Sequence, residues 1–216
     1  MTLWLAGSAE LVGSAGIVGG LVGLGLAPLA EKALSSRRHL ALPARSAIVA
    51  VSAVLFGLTA AHFGAAAQLL PYCVFAAVAV VLGTVDLLEK RLPNAVLYPS
   101  MIVLVVLLSG TSAITGTWGA LLSAFGGAAA LFALYFVLAV ISPSGIGMGD
   151  VKLAALIGLM LGYLGWVPLL VGGVAGFLIG GVTSVVALLS GRASLKTALP
   201  FGPAMLAGAI LGIVLA

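Results

Sequence analysis

The sequence is poor in charge. Only 6% of its 216 residues are Asp, Glu, Lys or Arg, while 63% are hydrophobic, against roughly 25% charged in a soluble domain. A shortage of that size excludes an ordinary water-facing surface and any separate soluble domain. Cysteine is nearly absent: the single Cys73 sits in an apolar run, so no disulfide framework or cysteine zinc site can form within one chain, and it reads as a small buried hydrophobe. The nine basic residues are scattered through short loops without interleaved aromatics, which argues against nucleic acid as a partner. No Lys or Arg precedes Lys32, so the basic leading region of a cleavable secretory signal is missing. The first apolar run is therefore expected to stay as a helix.

What the chain has instead is hydrocarbon in lengths that suit a bilayer, whose core asks for about 20 apolar residues per helix. Runs at 3–29, 46–61, 68–85, 95–109, 118–141, 151–164, 167–189 and 200–216 predict an all-α, polytopic membrane protein of about eight transmembrane helices, with residues 1–216 forming one transmembrane domain. The charges test this topology. The loops 31–45, 86–94, 142–152 and 190–199 contain every Lys and Arg of the chain, and the intervening turns contain none. By the excess of basic residues in cytoplasmic loops, those four face the cytoplasm and the N-terminus lies outside. The loop at 31–45 is the most basic, closes with Leu42-Pro43, and could also hold anionic headgroups, which makes membrane lipid an expected partner. Small residues four apart, Gly16/Gly20, Gly19/Gly23 and Gly172/Gly176/Gly180, are spaced for close helix packing.

Against this apolar background the carboxylates stand out, because an acid immersed in a membrane is costly and needs a partner. Glu10 is expected near the positive end of the first helix, reaching for the interface. His62 is a lone interfacial histidine without other ligand types nearby, and no metal is expected. Asp86 ends an inbound run and Asp150 begins an outbound one; the two crossings between them return the chain to the same face. Folding can then bring the two carboxylates together. Such a pair cannot both ionise cheaply, shares one proton and titrates as a unit. This is what an aspartic peptidase needs: one carboxylate takes a proton from water attacking the scissile carbonyl, and the protonated one supports the carbonyl oxygen and later protonates the amine. Either aspartate can start as the base, and no cofactor or covalent intermediate is required.

Three segments carry a resemblance. Gly147-Met-Gly-Asp150, followed by Val151-Lys152, has the form Gly-x-Gly-Asp; Asp86-Leu-Leu-Glu-Lys-Arg-Leu-Pro-Asn94 and Pro200-Phe-Gly-Pro203 accompany it. Together, over residues 73–216, they resemble the type IV prepilin peptidases, polytopic aspartic peptidases of the inner membrane. The resemblance implies Asp86 and Asp150 as the catalytic pair; position 86, with six residues between it and Pro93, fits the pattern and Glu89 does not, so Glu89 is expected to pair with a neighbouring base. It also implies a site shaped by Gly147, Gly149, Lys152, Pro93, Asn94, Pro200, Gly202 and Pro203. Gly147 and Gly149 are expected to supply backbone angles closed to other residues and room for a substrate chain. Lys152 serves the dyad or anchors its helix to headgroups. Pro93 suits the first turn of the helix after it.

The implied substrate is a prepilin or pilin-like precursor, cut between its short basic leader and its apolar helix by an active site facing the cytoplasm. The loop at 31–45 departs from many relatives in having no paired-cysteine domain, which counts against N-methylation and likens the chain to compact peptidases of tight-adherence-type pili or to archaeal preflagellin peptidases. Two other readings suit membrane aspartates. A presenilin-like protease would show a Tyr-Asp pair and a late Pro-Ala-Leu segment, where this chain has Val85-Asp86 and Pro203-Ala204-Met205. A proton-coupled transporter would be expected to carry internal repeats and acids at the midplane.

Overall fold

The computed structural model describes residues 2–36, 39–141, 146–190 and 200–216. The described chain is helical: α1 (Thr2–Ala33), α2 (Leu42–Phe63), α3 (Leu69–Glu89), α4 (Asn94–Thr115), α5 (Trp118–Ile141), α6 (Met148–Leu164), α7 (Trp166–Leu189) and α8 (Gly202–Val214). Several ends differ from the sequence expectation, each for a local reason. Leu42-Pro43 opens α2 rather than closing the loop before it, because Pro43 falls in the first turn, where its missing N–H costs nothing. α4 runs past Ser109 to Thr115 through Ser and Thr residues that bond back to the preceding turn, as Thr115 Oγ1 does to the Thr111 carbonyl (2.8 Å). Pro93 stands one position outside α4, at its N-cap, with its carbonyl accepting the N–H groups of Val96 and Leu97.

Six helices are long and apolar enough to cross a membrane by length and composition. The remaining two, α6 with 17 residues and α8 with 13, are shorter. α6 is the central element. Val151, Leu153, Ala154 and the unbroken run from Leu156 to Tyr163 are buried, so this helix meets protein around most of its girth. The other helices turn apolar side chains outward, among them Leu21, Val54, Ile102, Leu122 and Leu178, all more than half exposed. With lipid outside as apolar as the core, association rests on packing rather than on a hydrophobic driving force.

The packing uses glycine seams. On α1, Gly19 and Gly23 leave room for α2, where added Cβ atoms would come within 2.6 Å of the Ser52 carbonyl and 2.8 Å of the Val49 Cα respectively. Gly172 and Gly176 of α7 meet Gly208, Gly212 and Met205 of α8, while Gly180, next along that stripe, meets the Phe201 ring. At the end of the bundle remote from Asp86 and Asp150, the Tyr163 hydroxyl joins Ser112 (3.0 Å) and Thr117 (3.1 Å), tying α6 to the end of α4 and the start of α5.

Candidate active site

Asp86 lies in the last turn of α3 and Asp150 in the first turn of α6, so both stand at one end of the bundle. Asp86 is 3% exposed; Asp150 is half-buried. Their carboxylates lie close enough to interact electrostatically. Each is held by a backbone N–H. Asp86 Oδ2 accepts from Gly202 (2.9 Å), the first residue of α8, which aims the unsatisfied positive end of that helix at the buried acid. Asp150 Oδ2 accepts from Gly147 (3.0 Å), the N-cap of its own helix. Among the described residues, Oδ1 of each carboxylate takes no hydrogen bond.

The glycines act differently from the sequence expectation. Gly147 has φ −81° and ψ 156°, ordinary extended backbone, and Gly149 is helical; positive φ among the described glycines occurs at Gly64, Gly116 and Gly165. What Gly149 supplies is space, because an added Cβ would stand 3.1 Å from the Leu92 Cβ. At Gly147 an added Cβ would meet Asp150 Oδ2 at 3.5 Å, an ordinary contact. The sterically decisive glycine is Gly202, whose added Cβ would come within 2.7 Å of Asp86 Oδ2.

The segment between the two aspartates bridges them. Leu92 and Pro93 are buried, Leu92 against Gly149. Exposed Asn94 accepts a 2.9 Å hydrogen bond from Lys152 Nζ, which also stands 5.1 Å from the centroid of the Tyr98 ring. Lys152 thus joins α6 to α4 rather than binding a carboxylate of the dyad. Pro203 occupies the opening turn of α8, where its ring is tolerated. Pro200 and Phe201 lead into that turn, and Phe201 packs with Phe177 (5.8 Å) and Tyr135 (6.3 Å). Of the site-shaping residues expected from sequence, Gly147 touches Asp150 and Gly202 touches Asp86.

Sequence reasoning missed Tyr135 and part of the bonding of Glu89. Tyr135 on α5 is buried, stacks on Phe177 (5.0 Å) and lies within electrostatic reach of Asp150. A single Tyr in an apolar helix carries no pattern, so only the fold could have found it. Glu89 pairs with Arg91 as expected, Oε2 accepting from Nε at 2.6 Å, but it also accepts the N–H groups of Ser35 and Ser36 from the loop after α1. Sequence separation of 53 and 54 residues hid those bonds.

Residues 73–216 match the type IV leader peptidase family. A relative from Bacillus subtilis (strain 168), a prepilin leader peptidase/N-methyltransferase, is 35% identical over 167 residues, covering 74% of this chain and 62% of the relative. The chain therefore spans less than two thirds of the length of that curated relative. No solved structure matches it.

Proposed function

The chain belongs to the type IV leader peptidase family, and from that premise we propose that it is a membrane aspartic endopeptidase that removes the leader of type IV prepilin or pilin-like precursors, with Asp86 and Asp150 as its catalytic pair. The observation that supports the proposal is the placement of two carboxylates at one end of an apolar bundle, within electrostatic reach of each other and each held through one oxygen by a backbone N–H. Two such groups hold one proton between them. In the reaction the ionised carboxylate takes a proton from a water molecule as the water oxygen bonds to the scissile carbonyl carbon. The protonated carboxylate donates a hydrogen bond to the carbonyl oxygen, and the proton passes to the leaving amine as the C–N bond breaks. Gly202 and Gly147 keep the two acids oriented throughout. Gly149 and Pro93, Asn94, Lys152, Pro200 and Pro203 shape the site by fixing the ends of α3, α4, α6 and α8.

The excess of basic residues in the loops at this end supports a cytoplasmic active site in the inner membrane, with the N-terminus outside. That is where a precursor with a basic cytoplasmic leader and one apolar span presents its cleavage junction. The loop between α1 and α2 has no cysteine, and we assign the chain no methyl transfer. Placement of both acids at the bundle's end, away from its middle, counts against a proton-coupled transporter.

A co-expression assay tests the proposal. Wild type shortens a candidate prepilin at the leader junction, whereas membrane-inserted Asp86→Asn and Asp150→Asn leave it full length. Cleavage surviving either substitution refutes the catalytic pair.

A further inference from the structure

The ends of α1 and α3 meet in one polar junction. Glu89, the last residue of α3, accepts hydrogen bonds from the Ser35 N–H (2.9 Å), the Ser36 N–H (3.0 Å) and the Ser36 hydroxyl (3.0 Å). Arg91 completes it: its Nε donates to Glu89 at 2.6 Å and its Nη2 to the carbonyl of Ala33, the last residue of α1, at 3.2 Å. One ion pair thus binds both the carbonyl left over at the end of α1 and the N–H groups that follow it. A carboxylate suits the place because it accepts on both oxygens and donates nothing.

Below the junction, Val81 and Val85 of α3 are buried with Ala30 and Leu34 at the end of α1 and Ile48 of α2. Val85 precedes Asp86 directly, and Glu89 follows it by about one helical turn. Beyond Glu89 the chain reverses through Lys90 at φ 51°, sets Leu92 against Gly149 and reaches Asn94, which is bonded to Lys152. The stretch from Asp86 to Asn94 is gripped on one side by the α1–α2 hairpin and on the other by the helix that carries Asp150.

We infer that Glu89 is a positioning residue: with Arg91 it fastens the α1–α2 hairpin to the end of α3 and so fixes Asp86 against Asp150. The hairpin lies before the residues that match the family, 73–216, yet by this junction it is a working part of the active site. The inference rests on the peptidase reading above.

The test uses the full chain in liposomes. Glu89→Ala lowers kcat for precursor cleavage by about 10- to 100-fold and leaves KM within about twofold, as expected when geometry rather than binding is lost. A loss of folded protein would also lower kcat, so a reversible tether decides. Glu89→Cys and Ser36→Cys are combined on a Cys73→Ser background and bridged with a short bis-methanethiosulfonate reagent that dithiothreitol cleaves. The bridged protein gains at least about fivefold in kcat over the same sample unbridged, and loses it on reduction. A Glu89→Ala protein with wild-type kcat, or a bridge verified by mass that restores nothing, overturns the inference. If wild type cuts the precursor and Asp86→Asn does not, that failure belongs to the inference alone. A wild type that leaves the precursor uncut overturns the peptidase reading and this inference with it.

Discussion

Replacing Gly202 with alanine tests the site at its tightest point. The new Cβ would stand 2.7 Å from Oδ2, 3.2 Å from Cγ and 3.5 Å from Cβ of Asp86, so something must move. α8 cannot retreat easily, because a Cβ-free seam sets Gly208 and Gly212 against the backbone of α7 and the Phe201 ring lies against Gly180. The carboxylate therefore yields. Displacement by about 1 Å takes its bond to the Gly202 N–H out of hydrogen-bond range, at a cost of about 1.5–3 kcal/mol for a charged acceptor. Overpacking adds about 1–3 kcal/mol. Against this, exchanging glycine for alanine in a helix returns about 0.4–1 kcal/mol. The balance is a destabilisation of about 2–5 kcal/mol, and a misplaced Asp86 lowers kcat/KM about 100-fold. The assay is the cleavage rate of a prepilin by purified protein in liposomes, with thermal unfolding of the same samples. Gly181→Ala is the control, since an added Cβ there meets nothing within 4 Å. A Gly202→Ala protein that turns over within about threefold of wild type, a difference under about 1 kcal/mol, would refute the argument.

Three further outcomes follow from the same geometry. Gly149→Ala, whose Cβ meets Leu92 Cβ at 3.1 Å, lowers the cleavage rate by about tenfold, and adding Leu92→Gly, which removes that Cβ, recovers part of it, because the two changes share one contact. Gly147→Ala stays within about threefold of wild type in rate and stability, as its backbone angles and contacts are ordinary for alanine; a loss as large as that from Gly202→Ala would contradict it. In a double-mutant cycle on thermal stability, Lys152→Ala and Asn94→Ala couple by about 0.5–1.5 kcal/mol, the net worth of their 2.9 Å bond. Strict additivity would show that the bond does not hold α6 to α4.

How far the sequence reached can be followed residue by residue. Long apolar runs broken by polar loops mark the eight helices of the described chain, and the parity of crossings puts Asp86 and Asp150 at one end. Pro43 and Ser109 misled locally: the first suited a helix start as well as a loop end, and the second belonged to hydroxyl residues that stay helical by bonding to their own backbone. The glycines of the Gly-x-Gly-Asp segment were read for their freedom of φ, whereas the structure uses Gly149 for its missing side chain. That distinction depends on Leu92, a neighbour 57 positions away. Gly202 was expected to shape the site, but its bond to Asp86 spans 116 residues and no local pattern encodes it. Glu89 is the same case: pairing with Arg91 is a two-residue relation and was legible, while the hold on Ser35 and Ser36 is tertiary.

The shortness of α6 bears on how the protein tolerates different membranes. Its 17 residues rise about 25 Å at about 1.5 Å each, less than the roughly 30 Å of a typical hydrocarbon core. A lipid-facing helix of that length would suffer hydrophobic mismatch and would tilt or thin the bilayer around it. α6 does neither on its own account, since its neighbours in the bundle cover it along most of its length. Thickening or thinning the bilayer acts first on the outer helices, and the depth of Asp150 is set by the protein that surrounds it. Acyl-chain length should then alter the tilt of α1, α2 and α7 while leaving the distance between the two aspartates nearly constant.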